Sequence, residues 1–206
     1  MKTLSLLLLL FAAHWLPAQD VKWNEGSVVL ASGDVITGQV SMMAGRNVVL
    51  VKRSDVESSL QKGVTSIERR GADVLAAHKV QSVFYYDKQA NINRRFIARG
   101  SEYSVPVIQL YEVVLQGSID VLRRPRSLSN SPDDGDFDYY VSNAGVIAPL
   151  WKFYKEVFPG LDDISRQHLT AFIKANGLRH ADEANLIRVI GYYNQLIRSG
   201  ETVARY

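Results

Sequence analysis

The chain has 206 residues, 47% apolar and 22% charged, the balance of a globular protein with one sizeable domain or two small ones. Its formal net charge of +3 is too small for the concentrated basic face of a nucleic-acid binder. There is no cysteine, which excludes disulfides, thiolate metal sites, cysteine catalysis and the acylated cysteine of a bacterial lipoprotein.

The first segment reads as an address. Met1-Lys2-Thr3 is a short basic start, and Leu4 to Ala13 is almost wholly apolar, with consecutive leucines from Leu6 to Leu10. Small Ala18 then precedes Gln19-Asp20. This is the layout of a secretory signal peptide, with cleavage expected after Ala18. The run falls short of the ~20 apolar residues that a membrane helix needs. No second long apolar run follows, so the expected product is secreted or periplasmic, with no transmembrane span in the mature chain. Charge is uneven beyond the leader: net +4 over residues 19–130 and −2 over 131–206.

Strands are expected next. Ser27-Val28-Val29-Leu30, Val35 to Val40 and Val48 to Val51 are valine-rich runs, separated by Ser32-Gly33-Asp34 and Ala44-Gly45-Arg46-Asn47. That pattern predicts a β-meander, with Gly38 as a candidate bulge or bend. Ser54 to Lys62 is polar and reads as a loop. Val64 to Arg70, Asp73 to Ala77, Val80 to Tyr86, Asn91 to Arg99, Val105 to Leu115 and Ile119 to Leu122 are further strand candidates. Gln116-Gly117-Ser118 is a turn, and Ser127 to Asp138 is an exposed loop. Tyr139-Tyr140-Val141 is read as the last strand.

The period changes after Pro149, which suits the first turn of a helix running to Phe158. Asp162 or Asp163 can cap a second helix through Ile164, Leu169 and Phe172, ended by Gly177. The last helix places Leu186, Val189, Ile190, Tyr193, Leu196 and Ile197 on one face. Strands first and helices last predict an α+β fold: a β-rich barrel or sandwich over residues 19–147, then a small C-terminal helical region over 148–206.

The stretch Gly26 to Val40, the strand Val80 to Asp87 and the closing Tyr192-Tyr193-Asn194-Gln195-Leu196 resemble a loose group of exported Gram-negative bacterial proteins of unknown function. The resemblance implies the order of strands before helices and a bacterial source. It carries no catalytic role to any residue.

Catalytic sets are scarce. His78, His168 and His180 do not have the spacing of a metal pair on one helix. No nucleophile elbow, phosphate loop or dinucleotide fingerprint occurs. Ser59-Leu60-Gln61-Lys62 matches Ser-x-x-Lys, but its partner motifs are missing and the stretch reads as a loop. Asp133-Asp134-Gly135-Asp136-Phe137-Asp138 could present carboxylates to calcium, yet it lacks the EF-hand register and fits a solvated loop better. No catalytic, cofactor-binding or metal residue is therefore assigned.

Arginines recur at Arg69-Arg70, at Arg94-Arg95 with Arg99, and at Arg123-Arg124 with Arg126, near Tyr85, Tyr86, Phe96 and Tyr103. If strands align them, they form a patch for an anionic glycan, a lipid headgroup or a partner protein; otherwise they are ordinary outward arginines. The leading reading is an exported, non-enzymatic binding or envelope-associated module. A hydrolytic enzyme of an unrecognised family and a small-ligand carrier with a β-barrel cavity are the alternatives.

Overall fold

The computed structural model describes residues 21–53, 71–100, 107–126 and 136–200. Among these residues ten strands form one sheet: β1 Asn24–Leu30, β2 Val35–Met43, β3 Val48–Arg53, β4 Asp73–Ala76, β5 Val80–Asp87, β6 Ile92–Gly100, β7 Ile108–Leu115, β8 Ile119–Pro125, β9 Phe137–Asn143 and β10 Val146–Pro149. Their order is β10-β9-β8-β7-β6-β5-β1-β2-β3-β4, and every pairing is antiparallel. Two helices follow, α1 Asp163–Ala175 and α2 Glu183–Ser199. The fold is thus α+β. The sheet is open and sandwich-like, with β4 and β10 at its two edges, so it is not a closed barrel.

The sheet bends over on itself. The short 3-10 turn Ala44–Arg46 after β2 ends at Asn47, which is left-handed at φ 55°. The Asn47 side-chain oxygen accepts a hydrogen bond from Leu110 N of β7 at 3.1 Å, and its carbonyl accepts from Ala77 N at 3.0 Å. In sheet order β7 lies beyond β1, β5 and β6 from β2, so this contact folds the β2–β3 end across the inner face. There Val28, Ile36, Val40, Val49, Phe96 and Leu110 form a buried cluster. At Gly26 the two flanking strands leave no room: an added Cβ would lie 2.3 Å from Phe84 O of β5 and 2.7 Å from Val40 Cγ2 of β2. The glycine expected to bulge, Gly38, instead keeps its ladder register opposite Gly26 and Arg53, at φ 150°. The bulges fall at Val29/Leu30 and Val113/Leu115.

The second bulge matters for the helices. It turns Leu115 to the inner face, where it packs against the cluster of Ile119, Val121 and Val141 with Leu169, Leu186, Val189 and Ile190. Asn194 of α2 locks this contact: its Oδ1 accepts from Ile119 N at 3.0 Å and its Nδ2 donates to Ile119 O at 2.8 Å. Asn194 is therefore part of the buried helix–sheet contact.

Two further elements differ from expectation. Tyr139 to Val141 lies in β9, and a hairpin through Ala144 and Gly145, both at positive φ, returns as β10. Residues 150–160 are not one helix but 3-10 turns at Leu150–Lys152 and Phe158–Gly160 around a π-turn at Phe153–Val157. Asp162 does cap α1, accepting from Ser165 N and Ser165 Oγ at 2.9 and 2.6 Å. Ser165 is consequently buried and Ile164 faces outward.

Candidate binding surface

The period of two in a strand splits the doublets Arg94-Arg95 and Arg123-Arg124 between the faces. Arg94 of β6 and Arg123 of β8 point inward, onto the strand between them. Arg94 Nη1 meets Glu112 Oε1 and Arg123 Nε meets Glu112 Oε2, each at 2.7 Å. Arg94 Nε also donates to Asp87 Oδ2 at 2.9 Å, and Lys22 Nζ lies 3.1 Å from Asp87 Oδ1. A chain of alternating charge thus runs Lys22, Asp87, Arg94, Glu112, Arg123 along the inner face.

This chain is well satisfied. Asp87 Oδ1 also accepts from Gln89 N and Ala90 N at 3.1 and 3.2 Å, which builds the β5–β6 turn. Burial by itself would raise the Asp87 carboxyl; hydrogen bonds from Ala90 N, Lys22 and Arg94 outweigh it and hold it at about 2. Burial likewise works against the Arg123 charge, but Glu112 and Tyr139 raise its pKa above the usual arginine value. The Arg123 guanidinium also lies 4.2 Å from the Phe137 ring centre.

The second member of each doublet points outward and is held differently. Arg95 stacks 5.1 Å from the Phe84 ring centre, and its Nη1 donates to Gln116 Oε1 at 2.8 Å. Among the described residues its Nε has no hydrogen-bond partner. Arg124 Nη1 donates to Gln109 Oε1, and its Nε also has no partner. Arg99, opposite Gln109 in the ladder, donates from Nη1 to Ala98 O at 3.0 Å. All three guanidiniums are met by neutral oxygens. By contrast Arg53, Arg126 and Arg166 reach the carboxylates of Asp73, Asp138 and Asp163. Asp138 stands opposite Arg124 in the ladder, but it accepts from Arg126 Nε at 2.7 Å.

Aromatic rings share this outer face. Phe84 and Tyr86 of β5 are 42% and 41% exposed, unusually open for such large rings. Lys52 lies 4.1 Å from the Trp23 ring centre. The middle of this face is buried: Tyr111, 2% exposed, packs edge-on to Tyr140 at 5.2 Å, donates its hydroxyl to Gln109 Oε1 at 3.2 Å and joins Ile97, Leu122 and Ile147 in an apolar cluster. Among the described residues the surface thus combines exposed rings, side-chain amides and three arginines without a carboxylate partner, set around that buried centre. The doublet sequence pointed to this patch. Which arginine faces outward, and the glutamines that hold it, came only with the register.

The remaining sequence candidates do not converge. His78 is in the turn before β5, His168 is exposed on α1, and His180 stacks on Tyr154 at 4.1 Å. No group of three metal-ligating side chains occurs among the described residues. Asp138 belongs to β9, while Asp133, Asp134 and Gly135 lie outside the described residues, as do Ser59 to Lys62, Arg69, Arg70, Tyr103 and the leader. A shallow groove of about 560 Å³ is lined by Phe158, Asp163, Arg166, Gln167, Thr170 and Lys174. Its arginine is already paired with Asp163. Among the described residues no helix is long and apolar enough to cross a membrane. Comparison with protein-family models, curated proteins and solved structures finds no match.

Proposed function

We propose that the chain is an exported, non-enzymatic binding module of the cell envelope that holds an anionic partner on the outer face of β5 to β8. The observation that carries this reading is the contrast between the faces. Inward Arg94 and Arg123 share a carboxylate, whereas outward Arg95, Arg99 and Arg124 rest on neutral oxygens. A guanidinium forms much stronger, often bidentate, bonds with an anion than with an amide oxygen. The outward three therefore form an electrostatic surface ready for an anion. Export is supported by the leader up to Ala18, with its basic start and apolar run.

The carrier alternative asks for a hollow inner face. Burial of Val28, Val49, Phe96 and Leu110 there weighs against it. Retention on a heparin column tests the binding reading. The natural chain should elute at higher salt than the triple variant Arg95→Gln, Arg99→Gln, Arg124→Gln, and by more than a triple change at Lys88, Lys155 and Arg188 produces. Equal elution of the two triple variants would remove the outer face from consideration. N-terminal sequencing of the exported product should start at Gln19.

A further inference from the structure

Resting on that reading, we infer that Arg99, Gln109 and Arg124 form a compact site for a phosphate monoester at one end of the outer face. Arg99 stands opposite Gln109 in the β6–β7 ladder, which places their Cβ atoms about 5 Å apart. Arg124 reaches across from β8 and donates from Nη1 to Gln109 Oε1. Two guanidiniums therefore flank one amide. Ile97 lies between Arg99 and Arg95 on this face, buried with Tyr111, Leu122 and Ile147. A ligand here is held at the margin of that centre and does not cross it.

The hydrogen bonds leave this pair of cations unmatched. Arg124 Nη1 meets an amide oxygen that the Tyr111 hydroxyl already shares at 3.2 Å, and among the described residues Arg124 Nε has no acceptor. Arg99 turns back to the carbonyl of Ala98. The carboxylates at this end serve another residue. Asp138, opposite Arg124 in the β8–β9 ladder, accepts from Arg126 Nε at 2.7 Å, and Asp136 and Glu183 also attract Arg126. Two neighbouring positive charges thus face neutral oxygens, and two forks offer more N–H groups than one carboxylate accepts well. A phosphate monoester brings three terminal oxygens and a charge of about −1.5 to −2 near neutral pH. Arginine forks hold such a group bidentately. A phosphate diester carries a single charge and matches the pair less well.

Calorimetry with methyl phosphate at low salt tests this. The natural chain should bind it saturably, with Kd at or below about 1 mM, and should bind dimethyl phosphate at least about tenfold more weakly. Arg124→Lys keeps the charge, removes the fork and should lose about tenfold. Arg99→Gln should lose a similar factor, whereas Arg95→Gln, beyond the buried centre, should change binding by less than about twofold. Asp138→Asn removes the carboxylate opposite Arg124 and should tighten binding by about threefold, a gain that misfolding cannot produce. Equal affinity for the two phosphates, or no response to the changes at Arg99 and Arg124, overturns the site. Phosphatidylcholine vesicles carrying phosphatidate distinguish the sources of the group. Retention on them that methyl phosphate reverses assigns a lipid headgroup, and methyl phosphate binding without retention assigns a soluble ester. The heparin column keeps the two levels apart: arginine-dependent retention there without methyl phosphate binding leaves the anion-binding face and removes the phosphate site. Loss of both removes both.

Discussion

Arg94 and Glu112, side by side on β6 and β7, meet at 2.7 Å with almost no exposure to solvent. The other Glu112 oxygen is occupied by Arg123, so one carboxylate balances two guanidiniums from opposite sides. Such a pair is a weak source of net stability, because desolvation offsets much of the attraction. Removing its anion is another matter. Glu112→Gln keeps the shape and leaves two inward cations facing an amide. It should lower unfolding stability by about 3–5 kcal/mol, read as a shift in urea midpoint. Arg95→Gln on the opposite face should change stability by no more than about 0.5 kcal/mol.

The acid limb of stability should depend on Asp87. Its carboxyl is held at about 2 in the folded chain, below its ordinary 3.8. A depressed folded value contributes stability that is fully present above the unfolded value and is lost as pH falls through the folded one. Between about pH 4 and 2 the natural chain should therefore lose melting temperature. Asp87→Asn should begin less stable at pH 7 and show a shallower decline across that window. Parallel curves for the two proteins would contradict the assignment.

Asn194 and Gly117 form a second testable pair. Asn194→Ala leaves both backbone groups of Ile119 without their side-chain partner and should cost about 2–3 kcal/mol, with α2 becoming more open to proteolysis. Gly117→Ala places a Cβ about 2.2 Å from Asn194 Cγ and should also destabilise. The double variant should be more stable than the sum of the two losses predicts, because the shortened side chain at 194 makes room for the added methyl.

Gly26→Ala has no such rescue. Two of the nearest atoms are Phe84 O and Tyr85 Cβ, which move only with the β5 backbone. The substitution should cost about 3 kcal/mol or more, or yield no soluble folded chain, judged by the near-ultraviolet circular dichroism of whatever is recovered.

The sheet was legible wherever Val and Ile runs met Gly-centred turns, and the cap of α1 is Asp162, one of the two expected; the cap of α2, Asp182, was not anticipated. β10 was hidden because its turn uses Ala144 at φ 49°, a conformation that alanine seldom adopts and that no turn rule would assign to it. Pro149 to Phe158 read as a helix from their apolar spacing. Their aromatic side chains instead form an edge-to-face group of Phe153, Tyr154 and Phe158, and the backbone follows with 3-10 and π turns. For the candidate surface, the sequence supplied the doublets and the alternation of strands. It could not supply the phase, because inward and outward for β8 depend on the Val113/Leu115 bulge and on which face the helices cover.

The strand order has a kinetic side. β1 is the first strand made, yet it lies in the interior of the sheet between β2 and β5. Its Leu30 pairs with Val80, 50 residues later in the chain. During synthesis the β1–β4 meander can therefore form with the Val28-Val29-Leu30 edge still unpaired. That edge is an open template for a strand from another copy until β5 arrives. Newly made chains pass through an interval in which association competes with folding, and the stretch of chain between Leu30 and Val80 sets how long that interval lasts.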